Sequence, residues 1–142
     1  MMMMMMMMMM MMMMMMMFRG AGQKVIGFSF YGNPNSTKSR ERKYFQGIAD
    51  NLDLLPRHYP GWIIRVYYDL EPDDPEMRLL CDLACRNPSL DICHARNNPA
   101  SGDISQIFAM NWRFLPTLDP NVDMFVSRQA SYWSRLITRP EY

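Results

Sequence analysis

Charge of one sign is scarce in this chain: 15 lysines and arginines stand against 14 acids, a formal net charge of +1 over 142 residues. That balance gives no reason to expect nucleic acid or an anionic surface as the main partner. Cysteine is scarce too. Cys81, Cys85 and Cys93 are an odd number and outline no disulfide framework, which favours a reducing, cytoplasmic compartment. No Gly-x-Gly-x-x-Gly follows any apolar run, so a nicotinamide-binding domain is not expected. The unbroken run from Met1 to Met17 lacks periodicity altogether and cannot specify one packed surface. It is set apart from the folded unit, 18–142, which is one domain's worth of chain. No lysine or arginine precedes the methionines, whereas a signal peptide carries positive charge there. With Phe18 they would make an apolar helix of about 27 Å, a length that just reaches across a bilayer. A membrane anchor in the secretory pathway is therefore the alternative placement.

What the chain does contain is an alternation of short apolar runs with helical stripes. Lys24 to Tyr31 is a nearly continuous apolar run, as a strand buried on both faces should be, and a strand over Val25–Phe30 is predicted. From the candidate N-cap Ser39, residues Tyr44, Ile48, Leu52 and Leu55 fall on one helical stripe. Pro60-Gly61 turns the chain into a second strand, Trp62–Tyr68, rich in β-branched and aromatic residues and followed by Asp69. Asp74 as N-cap and Pro75 as first residue open a second helix, with Met77, Leu80, Cys81 and Ala84 inward and Asn87-Pro88 as its stop. Ser89 to Cys93 reads as a short third strand. Ile104, Ile107, Phe108, Asn111, Trp112 and Leu115 recur at helical spacing, and Val122 to Ser127, with Met124–Val126 at its centre, reads as a buried fourth strand. This order predicts an α/β class with a mainly parallel sheet, the ligand side lying at the carboxyl ends of its strands.

Several constellations carry chemistry on paper. Gly32, four residues, then Thr37-Lys38-Ser39 has the spacing of a phosphate-binding loop. However, Thr37 replaces the glycine that lets such a backbone wrap phosphates, and Pro34 removes an amide donor. An ordinary polar loop over a ligand cleft is the better reading. Asn35-Ser-Thr37 is a glycosylation acceptor pattern, relevant only in the secretory pathway. Cys81, Cys85, Cys93 and His94 have the makings of a zinc site. Adjacent Cys93 and His94 should point to opposite sides of a strand, so buried reduced cysteines are expected instead. Asp69, at the carboxyl end of the second strand, sits where an acid can contact a ribose or base, or else simply begins a solvated acidic loop.

Three segments together, Gly27-Phe-Ser-Phe-Tyr-Gly32, Tyr59-Pro-Gly-Trp-Ile-Ile-Arg-Val-Tyr-Tyr-Asp69 and Asn111-Trp-Arg-Phe-Leu-Pro116, resemble a branch of the nucleotide-diphospho-sugar transferases. The resemblance covers most of Lys24 to Arg139 and rests on the order and spacing of all three. It implies a partial Rossmann-like α/β/α sandwich of the A-type glycosyltransferase fold, with a nucleotide sugar as donor. It assigns donor contacts to Ser29, Gly32, Asp69, Arg113 and Arg128. Arg113 takes the place of an arginine that approaches the donor's phosphates. The family's Asp-x-Asp, which holds manganese or magnesium against the diphosphate, falls on Gln129-Ala130-Ser131. Neither acid is kept, so no metal ligand is assigned. The half that binds the acceptor sugar would follow Tyr142. The expectation is a donor-half fragment, weakly active or inactive, whose uncovered apolar residues Phe125, Tyr132, Trp133 and Leu136 favour self-association. The alternative is a non-catalytic nucleotide- or protein-binding module.

Overall fold

The apolar runs become the strands of one parallel sheet. The computed structural model describes residues 3, 4, 6, 7, 19–31, 38–96 and 109–127. Its elements in order are β1 (Gln23–Tyr31), α1 (Lys38–His58), β2 (Ile63–Asp69), α2 (Pro75–Arg86), β3 (Leu90–His94), a 3-10 helix η1 (Ala109–Leu118) and β4 (Val122–Ser127). The strands lie in the order β3-β2-β1-β4 and every pair is parallel. This is a partial Rossmann-like α/β fold.

Successive residues of a strand point to opposite faces, so each strand contributes two sets of side chains. Ile26, Phe28 and Phe30 of β1 join Ile64, Val66 and Tyr68 of β2 and Leu90 and Ile92 of β3 on one face. Both α-helices cover that face. Ile48, Leu52 and Leu55 come from α1, and Met77, Leu80, Cys81, Leu83 and Ala84 from α2. Tyr44 packs at the margin. The chain steps β1 to β2 to β3 in one direction, and right-handed crossovers then put both helices on the same side. Its return past β1 to β4 sends the next connection, η1, over the opposite face. There the apolar cluster is small: Tyr67, Cys93, Ala95, Trp112 and Leu115.

Local chemistry explains the helix ends. The Asp74 side chain accepts a hydrogen bond from the Glu76 amide at 2.9 Å, with Pro75 in the first turn; an N-cap satisfies a donor that the helix cannot. At the other end Asn87 donates through its side chain to Leu83 O at 2.8 Å. Helix α1 begins at Lys38, so Ser39 lies inside it and is not its cap. After α1 the chain reverses through Gly61, whose φ of 81° an L side chain rarely adopts.

Two expectations are corrected. The described part of the third helical stripe is 3-10 rather than α-helical, and it turns Trp112 and Leu115 inward while Asn111 is exposed. A 3-10 turn repeats every three residues, which keeps residues 112 and 115 on one side and moves 111 off it. Ile104, Ile107 and Phe108 lie outside the described residues. Second, β4 is no buried strand: among the described residues it pairs only with β1, and Met124 is 53% exposed and Phe125 36%. Asp123 is bulged out of the pairing between Gln23↔Val122 and Lys24↔Met124.

Met3, Met4, Met6 and Met7 of the methionine run are exposed. No helix among the described residues is long and apolar enough to cross a membrane.

Candidate functional site

The strand order reverses direction between β1 and β4, and in open α/β sheets such a reversal opens a crevice at the carboxyl ends of the strands. Pairing of the described β4 ends at Gly27↔Ser127, so Ser29 and Tyr31 of β1 extend past it. The start of η1 occupies this place. Its Arg113 amide donates to Ser29 Oγ at 3.1 Å, across 84 residues of sequence, which leaves the serine hydroxyl its own hydrogen to donate. Trp112 is buried and meets Tyr31 edge to face, ring centres 6.2 Å apart.

Gly27 makes this approach possible. A Cβ at that position would lie 2.3 Å from the Arg113 carbonyl oxygen and 3.3 Å from Pro116 Cγ. Only a residue without a side chain lets η1 lie this close to β1. The Arg113 side chain runs over the Phe114 ring, its guanidinium carbon 5.0 Å from the ring centre. Its Nε is buried, and among the described residues the guanidinium has neither a hydrogen-bond acceptor nor a carboxylate partner. A half-buried guanidinium without a counter-ion is suited to an anionic ligand, since arginine pairs with phosphate and carboxylate oxygens in a bidentate way.

Asp69 ends β2 directly opposite Tyr31. It is half-buried, and its carboxylate is 3.5 Å from Arg96 Nε. The Arg96 amide in turn donates to His94 Nδ1 at 3.0 Å. Of the residues expected from the sequence, Ser29 and Arg113 are therefore in contact, and Asp69 sits one strand away beside Tyr31. Gly32 and Arg128 lie outside the described residues, as do Asn35 to Thr37 and Gln129 to Ser131.

The zinc constellation does not assemble. Cys81 packs in the helix-covered core, Cys93 in the cluster on the other face, and Cys85 is exposed. His94 stacks edge to face on Tyr68, so it and Cys93 do point to opposite sides. Among the described residues no group of three or more His, Cys, Asp or Glu could hold a metal ion. Burial pushes the Cys93 thiol well above its ordinary range, and Arg65 beside it only partly opposes this.

Two residues escaped the sequence reading. A glycine inside an apolar strand, Gly27, is a sign of close backbone approach. A charged residue inside another, Arg65, signals a buried polar partner. Arg65 is 1% exposed and lies at the amino half of the sheet on the η1 face. It donates to Asp119 Oδ2 at 2.9 Å and Gln23 Oε1 at 2.7 Å, with Asp91 Oδ2 at 3.4 Å. Arg19 closes the cluster through Asp91 Oδ1 at 2.7 Å and the Pro88 carbonyl. Burial alone would lower the Arg65 pKa, but Cys93, Tyr67 and Asp91 around it leave it raised, and it stays charged. No family model, no curated protein and no solved structure matches this chain.

Proposed function

We propose that this chain is the donor half of a glycosyltransferase-like domain, binding the diphosphate of a nucleotide sugar at the reversal between β1 and β4, with weak or no transfer. The observation that carries this reading is Arg113, whose main-chain amide is bonded to Ser29 at the crevice where α/β sheets take their ligands and whose guanidinium has no acceptor among the described residues. A departing nucleoside diphosphate gathers negative charge, and a guanidinium and a hydroxyl donor carried at the same crevice stabilise it. Asp69, one strand away, is then available to a ribose or base hydroxyl.

The resemblance also brings a manganese or magnesium ion, and the donor set does not suit one. By that resemblance Gln129 and Ser131 fall where the family's two carboxylates would, and hard divalent cations favour charged oxygens. Asp119 is committed to Arg65, and Asp123 is at the bulge near Gly22, both at the amino end of the sheet. These neutral residues favour, as the second reading, a nucleotide-binding module without catalysis.

Purified chain is assayed against a panel of nucleotide sugars with manganese and then with chelator. The expected result is no turnover, together with weak, chelator-insensitive binding of nucleoside diphosphate. Chelator-sensitive turnover would show an active metal site and overturn the metal-free reading. Failure of every nucleoside diphosphate to bind would overturn the nucleotide reading. Self-association belongs to the same proposal: exposed Met124 and Phe125 on β4 support it, and sedimentation velocity of Met124→Lys should show a smaller species than wild type.

A further inference from the structure

We infer that the Arg65–Asp119 pair, its guanidinium buried and its carboxylate partly so, is a positioning device that sets η1, and with it Arg113, over the crevice; its ligand arm rests on the nucleotide reading above. Asp119 follows directly on η1 and begins the turn into β4. Its amide donates to Pro116 O at 3.2 Å, its Oδ1 accepts from the Asn121 amide at 2.9 Å, and its carbonyl accepts from the Val122 amide at 3.1 Å. Asn121 O accepts from the Gln23 amide at 2.9 Å. The turn is thus a rigid unit, and Arg65 grips it from β2 through Asp119 Oδ2.

The same guanidinium holds Gln23 of β1 and approaches Asp91 of β3. One side chain therefore references the end of η1 to three strands at once. The middle of η1 is held by the Arg113–Ser29 hydrogen bond and by the close approach of Arg113 and Pro116 to Gly27. With its middle and its carboxyl end anchored only a few residues apart, a shift of Asp119 must be taken up at Pro116 and Arg113. Stability alone does not call for such a cluster, because apolar residues of similar volume serve a core as well as a buried ion pair does. A planar five-donor fork that fixes the registry of a connecting turn supplies what apolar packing does not.

The test uses the full chain with Asp119→Asn, which keeps an acceptor oxygen and removes the charge, and Arg65→Lys, which keeps the charge and loses the fork. Amide hydrogen exchange is measured across the molecule, and binding of nucleoside diphosphate by calorimetry. Exchange of Arg113 and its η1 neighbours should quicken while β1, β2 and the two α-helices keep their protection. Affinity should fall about tenfold, within the range by which a residue without ligand contact modulates a remote site. Ser29→Ala combined with Asp119→Asn should quicken Arg113 exchange by less than the product of the single effects, since both act on one element. Exchange that quickens uniformly over the whole sheet would make Arg65 merely structural and overturn the inference, as would unchanged exchange in η1. If wild type binds no nucleoside diphosphate yet η1 alone loosens in the variants, the positioning role stands and the nucleotide reading falls.

Discussion

On the face covered by α1 and α2, the buried strand residues are apolar, from Ile26, Phe28 and Phe30 of β1 to Leu90 and Ile92 of β3. On the face covered by η1, the same strands present Gln23, Gly27, Ser29, Arg65 and Asp91 beside buried Val25 and Ile63, and the apolar cluster there has five buried members among the described residues. The first face is stabilised by area removed from water, at roughly 25 cal/mol per Å². The second is organised by direction: hydrogen bonds, the ion pairs linking Arg19, Asp91, Arg65 and Asp119, and one close backbone approach. Apolar packing tolerates substitution if volume is kept, whereas a bonded guanidinium or a glycine contact tolerates almost nothing else. Under the proposed nucleotide reading, the contrast separates the half of the molecule that supports from the half that recognises.

The comparison predicts different failures on the two sides. Phe28→Ala, on the helix-covered face, should cost about 3–5 kcal/mol in denaturant unfolding, because the void cannot collapse under a rigid sheet. Nucleoside diphosphate affinity measured well below the unfolding midpoint should stay close to wild type. Gly27→Ala should cost less, about 1–3 kcal/mol, since the strand survives and η1 must move away from the new methyl. Yet this milder variant should lose nucleotide binding. A Phe28 variant that loses binding while folded, or a Gly27 variant that keeps it, would erase the distinction between the faces.

Alkaline titration gives a smaller effect. Burial, with lesser contributions from Cys85 and Asp82, pushes Cys81 up to about 11 from 9.0. A thiol held protonated in the folded chain stabilises fully below the unfolded value near 8.5, and that contribution fades as pH rises through about 11. Stability should therefore fall over this window. Cys81→Ala should show a shallower fall in the denaturation midpoint, and an identical slope would mean the thiol is not buried in solution. Cys85, being exposed, should label with a thiol reagent in the native state before Cys81 or Cys93.

Much of the first face was legible in the chain itself. Ile48, Leu52 and Leu55, like Met77, Leu80, Cys81 and Ala84, recur at the helical period, and a period is local information. Asp74-Pro75 announced its helix because capping involves only neighbouring residues. The second face was less legible for the same reason. Trp112 and Leu115 are three apart, a spacing that fits an α-helix and a 3-10 helix alike, and Pro116 was the only local hint of the tighter form. An apolar run such as Val122 to Ser127 does not state whether it lies at the centre of a sheet or at its edge. Arg113 and Ser29 were both named, from a resemblance, but their contact joins residues too far apart for any pattern to reveal. The Arg65 cluster draws on four separate parts of the chain, and its one local sign is a charge inside an apolar strand.

One titration bears most directly on the recognising face: nucleoside diphosphate added to wild type and to Arg113→Ala, with chelator present throughout, followed by calorimetry. Wild type should bind weakly, and the variant, which removes the Arg113 guanidinium but nothing from the core, should lose at least about tenfold in affinity, as expected for one charge-assisted phosphate contact. Equal affinity in the two proteins, or none in either, would contradict a diphosphate site at Arg113.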